Sequence, residues 1–297
     1  MTNYFYAKPF VKWAGGKRQL IDQITEHLPL DFENQKNITY IEPFVGGGAM
    51  LFHLLKTYPN IKKAIINDIN YKLICTYRII KKNVYELIDS LNKIQNEFYN
   101  LTTHEEQKSY FLHKRKKFNS TNISEIEIAS LFIFLNRTCF NGLYRENKKG
   151  EFNVPFGRYK NPKICDEKTL LADSELLKNV EILLGDYSEI EKYVNQYTLI
   201  YFDPPYKPLN NTSSFNSYVK EAFDNEEQNR LSIFVRNISK KAFFLLSNSD
   251  FSAVNPGELY FEKLYEGFSI NKVFATRAVN AKASNRGKLS ELLIQNY

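Results

Sequence analysis

The chain has 297 residues, 43% of them hydrophobic and 25% charged, without a low-complexity tract, which excludes a disordered chain and leaves room for one large core. Its net charge of +7 favours an acidic partner. Cys75, Cys139 and Cys165 and the histidines His27, His53, His104 and His113 show no metal-type spacing, so neither a metal site nor a disulfide framework is expected. Met1 to Phe10 lacks a signal-like apolar region and no apolar run is long enough to span a bilayer, so a soluble, cytoplasmic protein is expected.

In chain order, Phe10 to Lys17 (Phe-Val-Lys-Trp-Ala-Gly-Gly-Lys) comes first, and Gly15-Gly16 reads as a permissive turn. Arg18 to His27 reads as a short amphipathic helix. Lys17 places a cation at its start, but the segment lacks the spacing and Ser/Thr of a phosphate loop. Thr39-Tyr40-Ile41 reads as a strand, followed by Glu42-Pro43-Phe44-Val45-Gly46-Gly47-Gly48 and a helix from Ala49 to Lys56. A dinucleotide fingerprint would need glycine at position 51, which is leucine. Ala64 to Asp68 is a second strand ending in an acid, about 20 residues on, the spacing expected of a carboxylate on ribose hydroxyls.

From Tyr71 to about Ile133 the apolar spacing is helical. Lys114-Arg115-Lys116-Lys117 reads as a solvated face or a phosphate contact. Asn136 to Tyr159 reads as a β-hairpin with arginines and apolar tips, of the kind that enters a DNA groove. Arg137 to Lys163 carries seven Lys or Arg against two Glu, a local basic patch. Val180 to Asp186 is a third strand ending in an acid.

Leu199-Ile200-Tyr201-Phe202 is a buried strand stopped by Asp203-Pro204-Pro205-Tyr206, because two prolines lack the N–H a ladder needs. A carboxylate at the carboxyl end of a strand stands where open α/β sheets bind ligands. Asp203 and the Pro204 carbonyl can accept both hydrogens of a planar amine while Tyr206 stacks on the ring that carries it. That arrangement turns the nitrogen lone pair towards an electrophile. Beyond it lie a polar loop (Lys207 to Val219), a helix (Asn225 to Ser239), a strand (Lys241 to Leu246), further strands in the last forty residues and a basic segment (Arg277 to Lys288).

The set resembles the Dam-type, alpha-group DNA adenine-N6 methyltransferases, in particular the GATC-recognising members. It is carried by residues 12–17, 42–48, 67–70, 141–145, 150–159 and 203–206, in that group's order. The resemblance implies an α/β Rossmann-like methyltransferase sheet, S-adenosylmethionine as donor, and an adenine flipped from double-stranded DNA as acceptor. It implies a catalytic domain of residues 1–70 and 166–297 and an inserted, mostly helical target-recognition domain, 71–165, carrying the hairpin 136–159. Asp203, Pro204 and Tyr206 take the catalytic positions; Trp13, Lys17, Phe44, Gly46, Asp68, Asp186 and Asp203 take cofactor-binding ones. Lys12, Asn141, Leu143, Arg145, Pro155 and Tyr159 match DNA-meeting positions, and Arg158 is a second arginine of the same hairpin. A methyl donor of this kind needs alignment and neither a metal nor a covalent enzyme intermediate. No Pro-Cys dipeptide is present, which argues against cytosine carbon methylation. An inert DNA-binding regulator on the same fold, an RNA adenine enzyme and a cytosine-N4 enzyme remain as alternatives. No membrane association and no obligate protein partner are indicated.

Overall fold

The computed structural model describes residues 4–15, 17–206, 223–253, 257–276 and 288–297. The expected polar loop 207–219 and the basic segment from Arg277 to the start of the last strand lie outside these residues.

After a single 3₁₀ turn (Lys17–Gln19), α1 spans only Ile21–Thr25. It is shorter than the helix expected over 18–27, because the Leu20 N–H bonds to the Lys17 carbonyl in the tighter turn and Leu20 offers no side-chain cap. The sheet that follows holds β1 (Ile38–Glu42), β2 (Ile61–Asp68), β3 (Val180–Leu184), β4 (Thr198–Phe202), β5 (Phe243–Ser249), β6 (Ser269–Thr276) and β7 (Lys288–Gln295). Their order among the described residues is β3-β2-β1-β4-β5-β7-β6. The first five strands in that order run parallel, and β7 is antiparallel to both of its neighbours. This is the expected α/β class with a Rossmann-like sheet.

Parallel strands buried on both faces should be apolar throughout, and every residue of β4 is buried. The side chains alternate: Leu199 and Tyr201 enter the core on one face, Ile200 and Phe202 that on the other. Chain direction across the sheet reverses between β1 and β4. Glu42 and Asp203 therefore stand at the ends of adjacent strands flanking the crevice where doubly wound sheets take ligands.

One face is covered by α2 (Ala49–Thr57), α3 (Tyr71–Lys82), α4 (Val84–Tyr99), α5 (His104–Phe118), α6 (Glu125–Thr138) and α7 (Glu167–Leu177), and the other by α8 (Asn225–Ile238) and α9 (Tyr260–Leu264). Capping boxes Thr103/Glu106 and Ser124/Glu127 start α5 and α6 sharply. The basic run at the end of α5 is engaged within the fold: Lys114 bonds Glu97, Arg115 the Val154 carbonyl, and Lys117 Glu127.

The hairpin expected over 136–159 is a bridged loop. Residues 136–138 finish α6, and only two antiparallel bridges follow, Cys139 with Phe156 and Glu146 with Phe152. The ladder is interrupted because other elements take its backbone groups. Asn119 donates to the Phe152 carbonyl at 3.0 Å and accepts from its N–H at 2.9 Å. Arg115 donates to the Val154 carbonyl, and Phe152 and Val154 are buried in the helical core.

At the carboxyl edge, the buried Asn67 amide donates to the carbonyls of Pro43 (3.1 Å) and Gly185 (2.9 Å), tying together the chain beyond β1, β2 and β3. Asn67→Ala strands both acceptors, and a loss of about 1–3 kcal/mol is expected in urea denaturation.

Candidate active site

The turn after β1 is set by steric need. Gly46 sits at φ 48°, and a Cβ there would lie 2.7 Å from the Trp13 ring. Trp13 in turn stacks on Tyr144, with ring centroids 5.4 Å apart. The Gly46 N–H donates to Asp68 at 3.1 Å, and the Asn70 N–H donates to its other oxygen at 2.9 Å. Burial nevertheless raises the Asp68 carboxyl above its ordinary range, against those two bonds. Phe44 packs beside Tyr187 and Phe223 at centroid distances of 5.3 and 5.7 Å, forming an aromatic wall at the same edge.

Across the crevice, β4 delivers Asp203. Its carboxylate, 21% exposed, meets the Lys17 ammonium at 2.9 Å, and Lys17 itself is 3% exposed. Lys17 also donates to the Gly15 carbonyl at 3.0 Å, stands 3.5 Å from Glu291, and lies over the Tyr206 ring at 4.3 Å. The Tyr206 hydroxyl donates to Glu291 at 2.6 Å. Burial works against the Lys17 charge, yet Asp203 and Glu291 hold its pKa above the usual lysine value. Burial raises the Asp203 carboxyl, with Lys17 opposing. Glu42, buried and bonded by the Tyr40 hydroxyl at 2.9 Å, is pushed well up by desolvation.

Asp186 stands apart from these. It caps the turn beginning at Tyr187 and is gripped by Arg230 at 3.1 and 2.5 Å; the Arg230 bonds hold its carboxyl down at about 2. Its connection to the glycine turn runs through the neighbouring Tyr187 and Phe44.

The residues expected to meet DNA share a second region. Lys12 lies 5.1 Å from the Tyr159 ring centroid and packs on Gly142, where a Cβ would come within 2.4 Å of the lysine chain. The buried Asn136 accepts from the Lys12 N–H (2.8 Å) and donates to the Lys12 and Gly142 carbonyls (2.8 and 2.9 Å). Asn141 is exposed at φ 55° and Arg158 exposed at φ 58°. Pro155 is exposed and its carbonyl accepts from the Phe140 N–H at 2.8 Å, while Leu143 is half-buried. Arg145 donates from Nε to Asn153 at 2.8 Å.

The structure thus brings Trp13, Gly46 and Asp68 into one group and Lys17, Asp203 and Tyr206 into another. Lys12 to Lys17 runs between the DNA-expected residues and both groups. Sequence reasoning missed Glu291, Asn136 and Tyr144. For Glu291 a signal existed: an acid inside Ser-Glu-Leu-Leu-Ile, a run otherwise suited to a core strand.

Comparison with known proteins identifies the family. The profile of the family described as D12 class N6 adenine-specific DNA methyltransferase matches residues 13–279. The chain is 49% identical to the type II methyltransferase M.MjaIII of Methanocaldococcus jannaschii, over 98% of this chain and 99% of that one. It is 41% identical to the type II methyltransferase M1.LlaDCHI of Lactococcus lactis subsp. cremoris, over 99% and 97%. It is 32% identical to the DNA adenine methylase of Haemophilus influenzae, over 96% and 92%. The family model covers residues 13–279 and the relatives are matched almost end to end: this protein is a member of the D12 class of N6 adenine-specific DNA methyltransferases.

Proposed function

We propose that this enzyme transfers a methyl group from S-adenosylmethionine to N6 of an adenine extruded from duplex DNA, within GATC. The observation that carries the reading is Asp203, whose half-buried carboxylate stands at the end of β4 beside the glycine turn of β1. The residues at that edge fit the donor. Asp68 is held by two backbone amides in a position to accept from ribose hydroxyls, and Phe44 with Tyr187 gives an apolar wall for a purine. Lys17 brings one positive charge against the two carboxylates it meets, which suits a ligand carrying positive charge. When bound, S-adenosylmethionine supplies an electrophilic sulfonium methyl.

Asp203 and the Pro204 carbonyl accept the two hydrogens of the target amine, and Tyr206 stacks on the base. Trp13 and Gly46 shape the cofactor side of the crevice, and Lys17 favours the charged form of Asp203 against the burial that raises its carboxyl. Asp186 Oδ1 already accepts from the Ser188 N–H and hydroxyl and from Arg230, so Oδ2, which meets Arg230 alone, is the oxygen that can take an adenine amine. Residues 71–165 act as the DNA-reading unit and residues 1–70 and 166–297 as the catalytic one. Lys12, Asn141, Leu143, Arg145, Pro155, Arg158 and Tyr159 present the reading surface. Two of its relatives are type II methyltransferases, which supports a role as the modification enzyme of a type II restriction system.

Asp203→Ala is expected to slow single-turnover methylation by about 10²–10³-fold. The assay uses labelled donor with GATC duplex, scrambled duplex, RNA and cytosine-target substrates, and transfer to RNA or cytosine in preference to GATC would overturn the substrate assignment. Asp68→Ala should weaken binding of S-adenosylhomocysteine in calorimetric titration while leaving DNA binding intact. Unchanged affinity would remove Asp68 from the cofactor site. Asn153 fixes the guanidinium plane of Arg145, as bidentate contact with guanine O6 and N7 requires. Arg145→Ala should cost about 1–3 kcal/mol at one guanine and relax discrimination there, read on single-base variants of GATC. Equal slowing at every site would make Arg145 a backbone contact instead.

A further inference from the structure

Glu291 is an acid at a core position. It lies on β7 opposite Ser249 of β5 and Val273 of β6, is 8% exposed, and shares its face of the strand with the buried Leu293. A carboxylate so placed is costly unless paired. Its partners are two residues of the proposed catalytic group: the Tyr206 hydroxyl at 2.6 Å and the Lys17 ammonium at 3.5 Å. An ammonium has three N–H donors, and Lys17 faces three acceptors: the Gly15 carbonyl, Asp203 and Glu291. One cation is thus shared by a buried acid, Glu291, and a half-buried one, Asp203, and it sits closer to Asp203, which the target amine must reach.

Resting on the function proposed above, we infer that Glu291 is a positioning residue for methyl transfer. It acts in two ways. By accepting from the Tyr206 hydroxyl it fixes the ring that stacks on the extruded base. By offering Lys17 a second carboxylate it lets the ammonium lean away from Asp203 when the target amine arrives. This withdraws a positive charge from the nitrogen that becomes cationic as it takes the methyl group. Without the charge on Glu291, Lys17 stays locked on Asp203 and competes with the substrate for it.

The test is a double-mutant cycle in single-turnover methylation of a GATC duplex, with Glu291→Gln, Lys17→Met and their combination, at saturating donor and DNA. Glu291→Gln keeps the size of the side chain and an acceptor for Tyr206. It should slow transfer by about 100-fold, as expected for a misplaced reacting group. In the Lys17→Met background the same change should cost less than about threefold, because the residue through which Glu291 acts is gone. A purely structural role predicts equal factors in both backgrounds, and that result overturns the inference. A second cycle, Glu291→Leu with Tyr206→Phe, tests the other arm: leucine removes the acceptor of the Tyr206 hydroxyl, and the two changes should be non-additive. Thermal melting of each variant guards against misfolding. If Glu291→Gln does not fold, Glu291→Asp, which keeps the charge but draws it back, replaces it in the first cycle. Equal rates for the wild type and Glu291→Gln overturn the inference and leave the proposed function standing. A wild type that methylates no DNA overturns that function instead.

Discussion

The structure turns on a lysine ammonium buried beneath the end of the central strand. Lys17 has almost no contact with solvent, and its charge is sustained by Asp203 and Glu291. An ion removed from water in this way is tolerated only while its partners stay in place, and removing one partner typically costs about 3–5 kcal/mol. The register between the amino-terminal segment and the sheet is therefore not free to slide. If Lys17 drew back, Asp203 and Glu291 would be left as facing buried carboxylates. Through this one cation, residues 17, 203, 206 and 291 become a single electrostatic unit.

The segment that carries Lys17 is held at its other end as well. Asn136 closes a three-bond bracket around Lys12 and Gly142, and Trp13 is wedged between Gly46 and Tyr144. Within this stretch, Lys12 touches the loop proposed to read DNA, Trp13 the glycine turn and Lys17 Asp203.

Much of this was legible in the sequence where one local stretch contains its own explanation. The apolar run ending in Asp203-Pro204-Pro205-Tyr206 marks a buried strand and its stop, and the glycine turn with Asp68 one strand later marks the neighbouring edge. What stayed hidden depends on partners far apart in the chain. Lys17 and Asp203 meet only because β4 lies beside β1, and Glu291 reaches them only because β7 runs antiparallel on the far side of β5. Asp186 carries the signature of a ligand-facing acid, but nothing local reveals that Arg230 grips it. The loop at 139–159 alternates as a hairpin does. Its ladder fails because Asn119 and Arg115, on a preceding helix, bond to the same backbone.

Charge is divided in a way that net charge conceals. The chain is basic overall, yet the crevice edge gathers the acids Glu42, Asp68, Asp203 and Glu291, the last two paired with the buried ammonium of Lys17. The exposed cations Lys12, Lys148, Lys149, Arg158, Lys160 and Lys163 belong instead to the loop and the segment bracketed to it. In the proposed reading a polyanion is drawn to the exposed cations of that loop, while the crevice edge offers it acids instead of cations. Only a group that brings hydrogen-bond donors or positive charge gains by entering. For a backbone of phosphates carrying neutral bases, the proposed consequence is a sorting by charge: the phosphates stay on the basic surface, and an extruded base, with its amine leading, is the part of the duplex that the crevice can accept.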